Sequence, residues 1–447
     1  MDFPHDLAAR LQRNRLSRRD TLWLFGAGTA GVALLPGCAV SPVSGQNIVV
    51  GMSEAQERQV DQQHAPHQFS QDLGAVQDGA LNRYVAEVGQ GLHRQSHRQE
   101  MPYSYRVLNA NYVNAYTFPA GAVGVTRGIM TELQDEAELA ALLGHELGHV
   151  NARHAAQRQG QAMMAQAVVL GLNVAASSSQ WGALAGLGSQ LGASALLSSY
   201  SRDNEREADA LGQEYMVRAG YPASGMTQLH GILLEQQKEA PSLLETMFSS
   251  HPMSTERRET AQRLAETRYA KSRGAPAGRE RFMDHTAGLR RIKPTVEACK
   301  NGETAMSRKA YPSAQGEFAA ALKRTPQDYA ANLRMAQCLQ AQGQTQDARR
   351  YADTAKTVYP QEAQARKLAG VLALSAREPE RAYEELHAFD RLLPGDPGVV
   401  FLKGVSLEGM GEKARAAQHY NSYLRLTRQG DAATYSASRL KAWGYLK

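Results

Sequence analysis

The feature that most limits what this chain can fold into is a 34-residue period in its final third. Ala314, Ala348, Ala382 and Ala416 recur at that interval, as do Pro326, Pro360 and Pro394, and small residues stand at Gly302, Ala336, Gly370 and Gly404. A unit of this length is a pair of helices that cannot bury its apolar face alone, so successive pairs stack into a shared core. The small residues fall where paired helices touch, and proline falls at the turn between units. Phe318 and Tyr420 occupy a matching aromatic position, while Ala352 and Leu386 depart from it. Arg428 stands where the last unit should have proline, as expected of a terminal cap. Residues 295–447 are therefore expected to form an all-α array, of the kind that serves as a surface for protein partners.

A second pattern carries chemistry. His145-Glu146-Leu147-Gly148-His149 lies in a helix expected to run from Asp135 to about Gln159, with Asp135 as N-cap and Glu138 as its capping-box partner. Residues four apart share a helix face, so both imidazoles point the same way and make half of a tetrahedral zinc site. Glu146 sits where its carboxylate can take a proton from water at the metal. Two surface histidines on an ordinary helix would give the same letters. Here both lie inside the apolar run Leu142–Val150, and buried histidines need partners. A third ligand is expected on a later helix, where Glu205 and Asp209 share a face. Glu205 can bind the metal through oxygen, and Asp209 can accept the spare N–H of a ligand histidine. Glu207 points off that face.

At 447 residues the chain should hold two or three domains. The net charge of +6 is scattered, with no basic stripe interleaved with aromatics, so no nucleic-acid partner is expected. Residues 1–37 read as an export signal: Arg10, Arg13, Arg15, Arg18 and Arg19 precede a short apolar run, Thr21–Leu35. The run ends at Leu35-Pro36-Gly37-Cys38, similar to a bacterial lipobox apart from Pro36, which makes Cys38 the lipidated first residue of the mature chain. Ser17-Arg18-Arg19-Asp20 also resembles a twin-arginine signal, so the general or the twin-arginine route is open, and an uncleaved anchor is the alternative. Residues 38–52 read as a polar tether.

Strands are expected at Tyr103–Leu108 and Ala122–Thr126, the second at a sheet edge because of Pro119, Gly121 and Gly124. That edge could accept an extended peptide, or the segment could be a plain hairpin closing the domain. Gln161–Ser199, rich in Ala, Gly and Ser, reads as a lid or helical hairpin beside the site, and Leu243–Phe248 as helical. Tyr269–Pro294 reads as a linker with one short helix. Cys299 and Cys338 are either a disulfide or two buried thiols.

Taken together, Gly144–Val150, Ser201-Arg202, Glu205-x-x-x-Asp209 and His251-Pro252 resemble the HtpX/BepA-type zinc metallopeptidase family of gluzincins. Asn114-Ala115-Tyr116-Thr117-Phe118-Pro119-Ala120-Gly121 is similar to that family's N-A-x-x-x-P-G-G stretch, with Ala120 for the first glycine. The resemblance spans about Met52 to Ala265, and the 34-residue units resemble tetratricopeptide repeats, which fits the BepA-like branch. It implies a mainly α protein: an α+β zincin-like domain with a small sheet at 53–268, a linker at 269–294 and a tetratricopeptide-repeat array at 295–447. A fragment ending after about Arg273 is expected to fold alone. The resemblance further implies one zinc per chain on His145, His149 and Glu205, with Glu146 as general base, Asp209 behind a ligand and His251 as a removable fourth ligand. Arg257 is the candidate oxyanion stabiliser. The activity implied is that of an exported endopeptidase, an outer-membrane lipoprotein on the periplasmic face. It would cut misfolded or stalled envelope proteins, with the repeats recruiting a protein partner. The alternative is an assembly factor that acts mainly through its repeats and keeps a latent site.

Overall fold

The computed structural model describes residues 37–174, 200–239 and 251–446. The export signal upstream of Gly37, the second part of the expected lid and the expected helical stretch Leu243–Phe248 lie outside the described residues. The expected tether is a hairpin: β1 (Gly37–Val40) pairs antiparallel with β2 (Asn47–Val50). The Ser41 hydroxyl accepts from the backbone of Val43 and Ser44 and closes its turn. Helix α1 (Glu54–Gln71) begins with the capping box of Ser53 and Gln56. Helix α2 (Gly79–His93) buries Leu81, Tyr84, Val85, Val88 and Leu92, the set at helical spacing.

Strands β3 (Ser104–Leu108), β4 (Ala115–Thr117) and β5 (Ala122–Thr126) form one sheet in the order β3-β5-β4. β5 runs parallel to β3 and antiparallel to β4. Ala122–Thr126 is thus the central strand, against the expectation of an edge. Pro119 and Gly121 lie in the turn before it, where Gly121 takes φ 98° and the Phe118 N–H donates to the Ala122 carbonyl. Gly124 stands inside the strand for a packing reason: a Cβ there would be 2.8 Å from Leu108 and 2.9 Å from Tyr116. The edge that neighbours the histidine helix is β4. Asp61 holds the β4–β5 turn, accepting from the Ala120 and Ala122 N–H groups at 2.9 Å each. Burial pushes its carboxyl up to about 7.

After the single turn α3 (Arg127–Met130) comes α4 (Glu136–Asn151), N-capped by Asp135. Every residue of α4 is buried, so it is a central helix wrapped on all sides, packed against α2, β4 and the later helices α6 (Arg202–Arg218) and α7 (Ser224–Glu239). It stops well before Gln159. Arg153 takes φ 57°, and the chain leaves in a new direction as α5 (His154–Val174). The expected continuous helix is therefore two. Arg98 Nη1 donates to the Val150 carbonyl at 2.9 Å, satisfying an acceptor that a helix end leaves without a partner. No described helix is long and apolar enough to cross a membrane.

Helix α8 (Thr255–Glu266) closes the first domain as sequence defined it. The stretch read as a linker continues the packing. It holds a 3-10 turn (Ala270–Gly274) and the helix α9 (Arg279–Arg291), which buries Phe282 and pairs Arg281 Nη1 with Glu136 Oε1 at 2.8 Å. Four helix pairs follow: α10 (Lys293–Ser307) with α11 (Tyr311–Arg324), α12 (Tyr329–Ala341) with α13 (Thr345–Val358), α14 (Gln364–Ser375) with α15 (Pro379–Leu392), and α16 (Pro397–Gly409) with α17 (Lys413–Leu426). Helix α18 (Asp431–Ala442) caps them. The period's small residues are the crossing points. A Cβ at Gly302 would stand 2.4 Å from Phe318, one at Gly370 2.7 Å from Leu386, and one at Gly404 2.7 Å from Tyr420. Leu386 therefore fills the same socket as Phe318 and Tyr420 do in their own pairs. Cys299 and Cys338 are buried free thiols.

The array is not a separate body. Arg127, at the start of α3, meets Asp328 at the start of α12, with Nη1 to Oδ2 at 2.7 Å and Nη2 to Oδ1 at 3.1 Å, both side chains buried. Asn111 Nδ2 donates to Glu303 of α10 at 3.1 Å, the Ser70 hydroxyl donates to Glu362, and Leu73 lies in the core of the repeats.

Candidate metal centre

The site is made where α4 and α6 touch. A Cβ at Gly148 would stand 2.7 Å from the Ala208 carbonyl oxygen, one at Gly144 2.9 Å from that of Gly212, and one at Gly212 2.6 Å from the His145 nitrogen. Small residues on both helices thus bring the backbones into contact, which lets the short carboxylates of α6 reach the imidazoles of α4. Ser201 caps α6 in a box with Asn204 and fixes where its first turn begins.

His145, His149, Glu205 and His251 converge, all buried, with one donor atom each lying within 4.8 Å of the others. His145 Nε2 is 3.1 Å from His149 Nε2, 3.3 Å from His251 Nδ1 and 3.5 Å from Glu205 Oε2. Glu205 Oε1 is 3.4 Å from His149 Nε2 and 3.0 Å from His251 Nδ1. Donors bound tetrahedrally at about 2.0–2.1 Å from one zinc are roughly 3.3 Å apart, which these separations match. His251 arrives on the loop ahead of α8 and stands inside the donor set.

Glu146 is fully buried, and neither carboxylate oxygen has a hydrogen-bond partner. Burial raises its carboxyl above the ordinary value, against the pull of His251 and His145. Burial would raise Glu205 as well. The positive charge of His251 beside it outweighs this and holds Glu205 well below the usual carboxylate range. Burial drives His149 well below the usual imidazole value, leaving it neutral.

Asp209 accepts from His145 Nδ1 at 2.9 Å. Arg257 is turned inward. Its Nε and Nη2 donate to Asp209 at 2.7 and 2.8 Å, and its Nη1 donates to the Pro252 carbonyl at 2.9 Å and lies 2.7 Å from Glu205 Oε2. The guanidinium expected to meet an oxyanion is thereby engaged with the two carboxylates and the loop that carries His251. Glu207 points away from the donors, and its Oε2 meets His154 Nε2 at 3.2 Å. Cys38 is exposed in β1.

Three side chains here escaped the sequence reading. His154 Nδ1 lies 2.9 Å from His149 Nδ1, His230 Nε2 lies 3.2 Å from Asp209 Oδ1, and the Tyr200 ring stacks on His149 at 3.9 Å. Lone histidines and a lone tyrosine at no ligand spacing carry no local signal. The clue available for His154 was its nearness to the motif, and a continuous helix would have put it on another face.

Residues 79–265 match Peptidase family M48, and residues 305–372 match the tetratricopeptide repeat. A beta-barrel assembly-enhancing protease of Yersinia pestis is 27% identical over 246 residues, covering 54% of this chain and 50% of that protein. The protein of the same name from Escherichia coli is 27% identical over 195 residues, covering 42% and 40%. The metalloprotease YcaL of Escherichia coli is 27% identical over 257 residues, covering 54% of this chain and 95% of YcaL. The chain thus spans half or less of the length of the two assembly-enhancing proteases. With the donors on α4 and α6 and the helix pairs behind them, the chain carries a peptidase family M48 domain followed by tetratricopeptide repeats.

Proposed function

We propose that the chain is a zinc-dependent endopeptidase acting on protein chains that reach the site in extended form. The observation that carries this is the buried four-donor cluster with the Glu146 carboxylate beside it, free of hydrogen bonds and 4.0 Å from His251 Nε2. With His145 Nδ1–H donating to Asp209, the ring turns Nε2 as a lone-pair nitrogen toward two other imidazole nitrogens, an arrangement that suits a cation between them. Two or three imidazoles and one carboxylate suit zinc. When bound, zinc supplies a Lewis acid that polarises a peptide carbonyl and lowers the pKa of water. Glu146 takes the proton of the attacking water and passes it to the departing amine. Asp209 fixes the tautomer of His145, and Arg257 holds Asp209 and Glu205 in place.

The finer reading follows from the named relatives and the sequence. Two relatives are called beta-barrel assembly-enhancing proteases, and by that likeness the substrates are misfolded or stalled envelope proteins. The repeats recruit a protein partner. Export and a lipid on Cys38 hold the chain at the periplasmic face of the outer membrane. Glu146→Gln tests the core of this: the purified variant should keep its zinc and lose casein cleavage, and cleavage at the parent's rate would sink it. A second reading has one observation behind it. His251 Nδ1 lies 3.0 Å from Glu205 Oε1, where a fourth ligand would close the site to water. That favours an assembly factor working mainly through its repeats, with a latent site. In cells such a factor keeps its function with Glu146→Gln.

A further inference from the structure

The chain holds an unusual backbone in order to present His154. Arg153 adopts φ 57°, uncommon for a residue with a side chain. It is fixed there by Nε to Glu57 Oε1 at 2.8 Å and by Nη2 to the Met52 carbonyl at 2.9 Å. Glu57 is itself buried and paired through its other oxygen with Arg98 at 2.7 Å. The reversal swings His154 back over His149, five residues earlier, until their Nδ1 atoms are 2.9 Å apart. His154 is fully buried, and the Tyr200 ring packs against both imidazoles.

Protons can be counted along this line. His149 presents Nε2 to the donor cluster, and a ring that binds a metal through Nε2 carries its proton on Nδ1. His154 Nδ1 is the acceptor beside that N–H. It must then be bare, with the His154 proton on Nε2, where Glu207 Oε2 accepts it at 3.2 Å. We infer that His154 and Glu207 are positioning residues for the metal centre: a two-member relay that locks the His149 tautomer and strengthens Nε2 as a donor. It is the counterpart, one ring longer, of what Asp209 does for His145. Its outer end is accessible, since the Glu207 side chain is 41% exposed. The inference rests on the zinc reading above and extends it to residues off the ligand motif.

The test uses the full chain and reads metal binding instead of turnover. Zinc affinity is measured by competition with a chromogenic chelator, and the visible absorption of the cobalt-substituted protein reports donor geometry. His154→Leu should weaken zinc by about 10–100-fold. His154→Asn, whose amide oxygen can accept from His149 Nδ1, should restore affinity to within about threefold of the parent. Glu207→Leu changes a partly exposed side chain, so it should weaken zinc by about tenfold without moving the thermal midpoint of the metal-free protein. The relay is overturned if both leucine variants hold zinc as tightly as the parent, or if His154→Asn is as weak as His154→Leu. A parent that binds neither zinc nor tetrahedral cobalt overturns the zinc reading itself, which separates the two failures.

Discussion

Removing the Asp328 carboxylate should destabilise the whole chain, not merely loosen its repeats. Asp328→Ala leaves the Arg127 guanidinium, 2% exposed, with Asn111 Oδ1 as its remaining partner at 2.9 and 2.6 Å. Stranding one member of a buried pair costs about 3–5 kcal/mol. Asp328 also caps α12, accepting from the Ala331 N–H at 2.8 Å, and losing such a cap costs about 1 kcal/mol. The expected loss is about 4–6 kcal/mol, a large part of the roughly 5–15 kcal/mol that holds a domain. Burial raises the Asp328 carboxyl, but Arg127 more than offsets this and holds it below its ordinary value. A depressed carboxyl stabilises above the unfolded value of about 3.9, and that contribution disappears as pH falls through the folded value. The measurement therefore belongs at pH 7: urea unfolding of the full chain followed by circular dichroism. Asp347→Ala, which breaks an exposed pair with Arg350, is the control that should leave the midpoint in place. Arg127→Met with Asp328→Leu should recover all but the cap, within about 2 kcal/mol of the parent. A loss below about 1 kcal/mol in Asp328→Ala would refute the shared core. So would a fragment ending after Arg273 that unfolds as cooperatively as the full chain, because that fragment also lacks α9 and strands Arg127.

Three further outcomes are expected. The purified chain should carry one zinc, removed by Glu205→Ala, and full occupancy in that variant by metal analysis would take Glu205 out of the donor set. His251→Ala should keep zinc and raise basal casein cleavage and self-cleavage. A fall of about a hundredfold would instead point to an oxyanion role, and no change would leave a turn residue. Cys38→Ser should move the protein from the membrane to the soluble fraction, and mass spectrometry finding an unmodified N-terminus upstream of Cys38 would count against lipidation.

What could be read from the sequence, and what could not, divides by the distance along the chain between partners. Ser53 with Gln56, Asp135 with the first turn of α4, and the 34-residue crossings of Gly302, Gly370 and Gly404 are each decided within a few residues or within one period. His145, His149 and Glu205 could be named as candidate donors because metal-binding chemistry needs a fixed spacing on a helix, and the structure brings their side chains together. The misplaced strand came from weighing glycine by propensity. Gly124 is small because Leu108 and Tyr116 crowd it, and those neighbours belong to strands not yet assembled when the sequence is read. The linker was read from its glycines and charges, yet Arg281 meets Glu136 across 145 residues and Arg127 meets Asp328 across 201.

The end of α4 follows the same logic with a functional result. No glycine or proline marks the turn at Arg153, because its backbone is held by Glu57, 96 residues earlier, and not by its own side-chain type. A reading that lacks Glu57 must run the helix onward to Gln159, and a helix running onward must turn His154 away from His149. The missed helix end and the missed histidine are therefore one error with one cause. The Glu57–Arg98–Arg153 cluster lies outside the ligand motif, yet it is what brings His154 Nδ1 to 2.9 Å from His149 Nδ1.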